Sequence, residues 1–587
     1  MTQFRILLAA STTIFLLTAC EQKTTQETVN IEGAATAANY IFINGGIYTV
    51  DTERSWAQAV AIRNGIVVYV GDNAGVEAYL GETTLLTDLT GHMMLPGFHD
   101  SHNHLLTGGI AFTECNLLEI ETLKEIYEML GGCTLFDGLG ENRWIRGAGW
   151  DNVLWPQGNP NKFELDEFFP DRPAFLESLD GHSAWVNSKA LEIAGIDNET
   201  PNPHAGIIER DPETGEATGT LRESAMDLIK DLIPQWSMEQ RIEGLKIGIQ
   251  KAHEVGITAI IEPGLDEYLL SSFIELADTE GLELRVRAAI APTGWQPTTF
   301  GDELYKFIKQ RDKWQRPNLD VDSVKIYMDG VIEAGTGVLL EPYLTGDYGV
   351  GERYYPQNKV DEYLTYLDKK GIQVAVHAIG DGAVRIALDG FEAARTANGV
   401  TDNRHHIVHL QLIHPDDRPR FGELGVAADF QAVWAYPDTW VTEMDMPMIG
   451  RERVEQMYPI GSVHRSGGMI VGGSDWWVSS MNPLDAIEVA ITRQDPWTNE
   501  GPRLQPEETV DLETMIDAYT INGAYLMALD DEQGSIEVGK RADLVVLDRN
   551  LFEIPPSEIN DAKVVLTLFD GDPVFSRAEG SPIDTGQ

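Results

Sequence analysis

Cysteine is nearly missing from this chain: three occur in 587 residues, at positions 20, 115 and 133. None stands in the C-x-x-C spacing of a zinc or redox site, so a thiolate metal site and a disulfide-dense scaffold are both excluded. Basic residues are scarce as well. Lys and Arg number 43 against 93 Asp and Glu, a formal charge of -50. So acidic a surface repels nucleic acid and anionic lipid, which removes nucleic acid as a partner. The acids are spread along the chain, so the excess reads as a solvated surface suited to a saline medium rather than as acidic metal sites. Repeats and low-complexity tracts are also missing. With 43% hydrophobic and 23% charged residues, the chain has the composition of one that folds almost throughout.

The one place where a long apolar run stands apart is the beginning. MTQFRILLAASTTIFLLTAC has a basic start at Arg5, an apolar stretch and then Leu17-Thr18-Ala19-Cys20, which reads as a secretory signal over residues 1–19. Leu-Thr-Ala-Cys resembles the cleavage box of bacterial lipoproteins, with Cys20 as the lipidated N-terminus, residues 20–39 as a polar tether, and Glu21 favouring the outer membrane. The competing reading is an uncleaved anchor, although the run falls short of the roughly 20 residues of a spanning helix. The expected location is therefore periplasmic or outer-membrane anchored, with membrane contact only through the lipid. Cys115 and Cys133 would then sit in an oxidising compartment, where their pairing is open.

Two strand-rich ends flank the middle. YIFINGGIYTVD and WAQAVAIRNGIVVYVGD carry Asn-Gly turns, and GSIEVGKRADLVVLDRN and AKVVLTLFDGDPVF answer them near the other end. This predicts a small β-sandwich built from residues 40–91 and 534–587. Between them, over 92–533, apolar β runs alternate with helical stretches. HMMLPGFHD, ITAIIEP, ELRVRAAIA, VDSVKIYMDG, GIQVAVHAIGD, RHHIVHL, GVAADFQAV and GGMIVGGSD make eight runs. The predicted fold is α/β, a (β/α)8 TIM-type barrel. The stretch over about 105–245 is too long for a loop and predicts an inserted subdomain.

Barrel enzymes build their sites at strand C-termini. Those ends here hold His102 and His104, then Lys325, His377, His409 and Asp475. His102 and His104, two apart, project to one face and can grip one ion, whereas His99 has the other parity and, with Asp100, is expected to support the strand end. For His377 and His409 a satisfied core histidine is the competing reading, for Lys325 a structural salt bridge, and for Asp475 a turn or helix cap. His182 is a candidate for orienting a substrate carbonyl. Trp150, Asp151, Trp185 and Trp434 are candidates for the pocket wall, against ordinary packing.

Taken in order, LPGFHDSHNH, the lysine in VDSVKIYMDG, VHAIGDGAV, RHHIVHLQLIHPDD, GGSD and GSIEVGKRADLVVLD resemble the amidohydrolase superfamily. DGHSAWVNSKAL, GWD and KIYMDGVIEAGTG are similar to its YtcJ-like branch, which includes N-substituted formamide deformylase. The likeness runs from about Tyr40 to Phe575. It implies one ion held by His102, His104 and Asp475, a second by His377 and His409, and carbamylated Lys325 between them, with zinc as the default metal. It further implies hydrolysis of an amide-type C–N bond in an N-acyl or N-formyl amine by metal-activated hydroxide, Asp475 shuttling the proton. Two departures stand out: Val408 replaces the branch's usual Glu before the last histidine, and Trp476-Trp477-Val478 replace a small residue and Pro after GSD. The rival readings are a cyclic-amidine deaminase or lactam hydrolase on the same barrel, and a lipid-anchored protein that binds a small molecule without catalysis. Oligomeric state, a homodimer included, is left open.

Overall fold

Each of the eight apolar runs contributes one parallel strand to an eight-stranded sheet in the computed structural model, which describes residues 37–118, 120–135, 138, 140–291 and 300–577. The expected signal, the tether up to residue 36 and Cys20 lie outside the described residues. The strands are Phe98–Asp100, Ile257–Leu265, Arg285–Ile290, Leu319–Tyr327, Gln373–Ala378, His406–His409, Ala427–Phe430 and Ile470–Gly472. Each pairs in parallel with the next in chain order. Both faces of such a sheet are covered, which is why the runs are almost continuously apolar instead of alternating. The first and last strands meet where the Ser101 amide donates to the Gly472 carbonyl at 3.0 Å and the Asp475 amide to the His102 carbonyl at 2.7 Å.

The run HMMLPGFHD is shared between two sheets and not, as its polarity predicts, one barrel strand. Met93–Pro96 runs antiparallel to Leu544–Leu547, with Leu544 opposite Pro96, and only Phe98–Asp100 enters the barrel. Both halves are buried, so nothing in the run marks the crossing. Met93–Pro96 thus belongs to a six-stranded sheet with Gly46–Tyr48, Trp56–Ala57, Leu544–Leu547, Val564–Phe569 and Asp572–Ser576. A four-stranded sheet of Tyr40–Ile43, Ala59–Arg63, Ile66–Gly71 and Leu85–Asp88 faces it. Their shared core joins Phe42, Ile47 and Met94 to Val546, Leu566 and Leu568, so the two chain ends bury one another.

The insertion between the first and second barrel strands forms its own six-stranded sheet, from Cys115–Asn116 through Ala217–Glu223. Its edge strand is tied to the helix Leu123–Cys133 by a disulfide, Cys115–Cys133. The helices Leu105–Ala111 and Met238–Glu254 pack on one another and bracket it, so the insertion proper is shorter than 105–245 at both ends. Their approach depends on glycine: a Cβ on Gly109 would come 1.9 Å from the Gly244 carbonyl oxygen. No helix of the described residues is long and apolar enough to cross a membrane.

Two outcomes are expected. Gly109→Ala forces these helices apart and should cost about 3 kcal/mol, read as a lowered urea midpoint. His253 sits on the second helix with Nε2 2.8 Å from the Glu283 carbonyl, and burial, opposed by that bond, pulls it down to about 4. Its folded value lies below the roughly 6.5 of an unfolded histidine, so its contribution is present above that pH and lost as pH falls through about 4. The stability advantage of wild type over His253→Gln in urea unfolding should therefore shrink as the pH is lowered from about 6.5 to about 4.

Candidate metal centre

The ring of strand ends is held together at Asp100. Its carboxylate accepts from the amides of His102 (3.2 Å) and Ser474 (2.9 Å), from Asn103 Nδ2 (2.8 Å) and from Ser474 Oγ (2.5 Å). Burial raises Asp100 to about 6 against the pull of those donors. The first strand is thereby locked to the GGSD turn, where Gly473 leaves room: a Cβ there would lie 2.9 Å from the His102 Cβ and from Asp429 Oδ1.

Asp475 then faces three imidazoles. Its Oδ1 stands 3.4 Å from His102 Nε2 and 3.3 Å from His104 Nε2, and its Oδ2 stands 3.7 Å from His409 Nδ1. Candidate ligand atoms of His102, His409 and Asp475 all lie within 4.8 Å of one another. The residues fit a cation. Asp475 Oδ1 is buried without a hydrogen bond among the described residues, and two ligands at about 2.1 Å from one tetrahedral ion stand about 3.4 Å apart. Burial drives His102, His377 and His409 well below the ordinary histidine range, keeping them neutral and able to ligate. Asp475 (φ 54°) and His409 (φ 81°) both hold left-handed backbone, a strain of about 1–3 kcal/mol each that clusters at functional positions.

His377 lies beside this group, its ring 4.5 Å from that of His409 and its Nε2 3.1 Å from the Gly330 carbonyl and 3.6 Å from Asp329. Asp329 is held by the amides of Val338, Ile379 and Gly380 at 2.8, 3.1 and 2.9 Å. Lys325 is buried with Nζ 3.1 Å from His102 Nε2. Among the described residues no carboxylate comes within ion-pair distance of it, so the structural salt bridge is not what is found. Burial lowers it to about 7, against Asp475 and Asp429.

His182 projects from the insertion, its ring 5.6 Å from that of His377. Glu223 meets its Nδ1 at 3.0 Å and also accepts from Thr336 Oγ1 (2.7 Å) and the Tyr354 hydroxyl (3.2 Å). Burial opposes charge on His182, but Glu223 outweighs it and lifts the imidazole to about 9.

These side chains line a cavity of two lobes, about 380 and 410 Å3, which share Asp180, His182, His377, His409, Asp475 and Val478. His102, His104, Lys325 and Trp477 border the first, Asp151 and Trp434 the second, with Trp434 stacked on His409 at 5.8 Å. Trp150 and Trp185 are elsewhere. Both are fully buried in the core of the insertion's sheet around Trp155, with indole N–H groups on the carbonyls of Leu176 (2.8 Å) and Asn161 (3.0 Å). Their β-strand runs bury them on the face away from the site. Val408 is fully buried, whereas Trp476 stacks on Phe112, so of the substituted turn only Trp477 and Val478 reshape the mouth.

Sequence reasoning passed over Glu262, Asp329, Glu223, Asp429 and Gln431. Gln431 takes the His409 Nδ1–H at 2.9 Å, which leaves the other ring nitrogen its lone pair. Glu262 and Asp429 carry the signal that marked Lys325, a charge in an apolar strand.

Residues 86–575 match the sequence profile of the amidohydrolase family. The protein LONG AFTER FAR-RED 3 of Arabidopsis thaliana is 31% identical, over 92% of this chain and 92% of its own. N-substituted formamide deformylase of Arthrobacter pascens is 28% identical, over 90% of this chain and 97% of its own. Among solved structures, an uncharacterized metal-dependent hydrolase from Pyrococcus furiosus is similar with a TM-score of 0.65 at 25% identity, covering 87% of this chain and 99% of that one.

Asp100→Asn should weaken metal retention about 10- to 100-fold with the chain still folded, measured as metal per chain after dialysis against graded chelator.

Proposed function

The chain belongs to the amidohydrolase family, and on that premise we propose that it hydrolyses the C–N bond of an N-acyl or N-formyl amine at the barrel mouth. Membership makes it a metal-dependent hydrolase of carbon–nitrogen bonds. The acyl-amine substrate is supported by likeness to N-substituted formamide deformylase, and the hydrolytic centre by a carboxylate, Asp475, set 3.3 to 3.7 Å from three imidazole nitrogens and sharing a cavity with the His182 imidazole.

His102, His104 and Asp475 would hold one cation and His377 and His409 a second, with carbamylated Lys325 serving both. When bound, such ions, which we take to be zinc, supply Lewis acidity toward a carbonyl oxygen and lower the pKa of water. Lys325 suits carbamylation because its buried amine lacks a carboxylate partner and is lowered to about 7: its nitrogen bonds the carbon of CO2 and gives up one proton. His182, whose Nδ1 meets Glu223 at 3.0 Å, borders both lobes of the cavity and in this reading orients the substrate carbonyl. Asp475 accepts the proton from attacking water and passes it to the departing nitrogen as the C–O bond forms and the C–N bond breaks. Trp434 and Trp477 narrow the cavity against bulk water. Export as a lipoprotein through Cys20 belongs to the same proposal, supported by the Leu-Thr-Ala-Cys segment and by a disulfide suited to an oxidising compartment.

Asp475→Asn should lower kcat on N-formylbenzylamine by about 10^2 to 10^4. Wild type should carry two zinc ions by elemental analysis and show a carbamate carbon by 13C NMR in labelled bicarbonate, absent from Lys325→Ala. A single ion with unlabelled lysine would discard the carbamate.

A further inference from the structure

The two lobes of the cavity are built oppositely. In the first, two acids are answered by bases, Glu177 by Lys230 at 3.0 Å and Glu114 by Arg146 at 3.6 Å, the Arg146 guanidinium lying 3.6 Å over Trp236, while Glu262 and Asp266 accept backbone amides. The second is walled by Asp151, Asp180, Glu333 and Asp438 and by Trp434, Tyr436, Trp440 and Trp497, and neither lysine nor arginine lines it among the described residues. None of the four acids has a Lys or Arg nitrogen within ion-pair distance among the described residues. The imidazolium on this wall, His182, is already matched by Glu223.

The hydrogen bonds of the acids do not account for the lobe either. Asp151 accepts the Val153 amide (3.1 Å) and the Trp440 indole N–H, Asp438 the Val441 amide (2.8 Å), and Asp180 Asn152 Nδ2 (2.8 Å), the His182 amide (3.0 Å) and the Ser178 hydroxyl. Glu333 is different. It is only 9% exposed, borders the lobe, and its Oε2 has no hydrogen-bond partner among the described residues. A buried carboxylate oxygen left in this state is costly unless something in the cavity meets it. Burial and the neighbouring acids also push Asp151 to about 6, Asp438 to about 7, and Glu333 upward, a direction that a cation placed among them reverses. Aromatic faces beside carboxylates are the usual receptor for an organic ammonium.

We propose that this second lobe is a cation subsite, so that the preferred substrates are N-acyl or N-formyl amines whose amine half carries a further, positively charged nitrogen. The assignment rests on the amide-hydrolase reading for its place in the reaction, but the subsite itself stands on the wall just described. With the C–N bond at the shared residues, the acyl half lies toward the first lobe. The charged nitrogen then reaches Glu333 and Asp438 between the indoles of Trp434 and Trp440.

The test uses the full chain loaded with zinc. Benzylammonium and its neutral counterpart benzyl alcohol are titrated while tryptophan fluorescence is followed. Turnover of N-formyl-4-(aminomethyl)benzylamine is compared with that of N-formyl-4-methylbenzylamine. The charged member of each pair should be favoured by about tenfold or more. Glu333→Gln and, separately, Asp438→Asn should reduce that ratio by at least about fivefold, and 1 M salt should weaken it less than an exposed ion pair. Equal or better binding of benzyl alcohol, or a ratio unmoved in both folded variants, overturns the subsite. If neither formamide is turned over while the binding preference persists and falls in the variants, the amide reading fails and the cation subsite stands.

Discussion

The desolvated carboxylate of Asp100 is what the functional end of this barrel hangs on. Four donors from two strands separated by more than 370 residues converge on it, and each of them also fixes a neighbour that faces the cavity. His102 and Asp475 follow from it through one backbone bond, and the Asp475 oxygens set the spacing of three imidazoles. A buried anion with fewer donors would protonate or draw water; with four it becomes a rigid pivot. The left-handed backbone at His409 and Asp475 is tolerable only because the strands beneath them cannot slip.

The same device recurs around the ring. Asp329 gathers three amides from two loops, and Glu223 gathers His182, Thr336 and Tyr354. Each anion immobilises the side chain that meets the ligand, so the cavity wall is ordered from behind. The insertion is joined to the barrel chemistry by the second of these, since Thr336 and Tyr354 lie in the stretch after the fourth strand while His182 and Glu223 belong to the inserted sheet.

Much of this was legible before any coordinates. Eight apolar runs counted along the chain are the eight strands, and polar residues at their ends, from His102 to Asp475, line one cavity. The legible part was whatever depends on local pattern: an imidazole, an ammonium or a carboxylate in an apolar run has few reasons to be there. What escaped depends on partners far away in sequence. Met93–Pro96 reads like the rest of its run because both halves are buried, and its pairing with Gly46–Tyr48 and the distant Leu544–Leu547 shows which sheet it joins. Trp150 and Trp185 sit next to polar motif residues, yet their indoles are used to fill a core. Candidate donors of His102, His409 and Asp475 lie within 4.8 Å of one another and the His377 ring lies 4.5 Å from that of His409, so proximity gathers the ligands without dividing them between two ions.

The pairing of Met93–Pro96 with Leu544–Leu547 has a consequence for how the chain is made. Strand partners some 450 residues apart close a very long loop, and such non-local contacts are slow to form. The support beneath the first barrel strand is therefore absent until almost the entire chain has been synthesised. Nascent chains cannot assemble the His102 end of the ring early and wait. A chain truncated before residue 544 loses one partner of that strand along with a sheet of the sandwich, so acquisition of metal belongs to the last stage of folding.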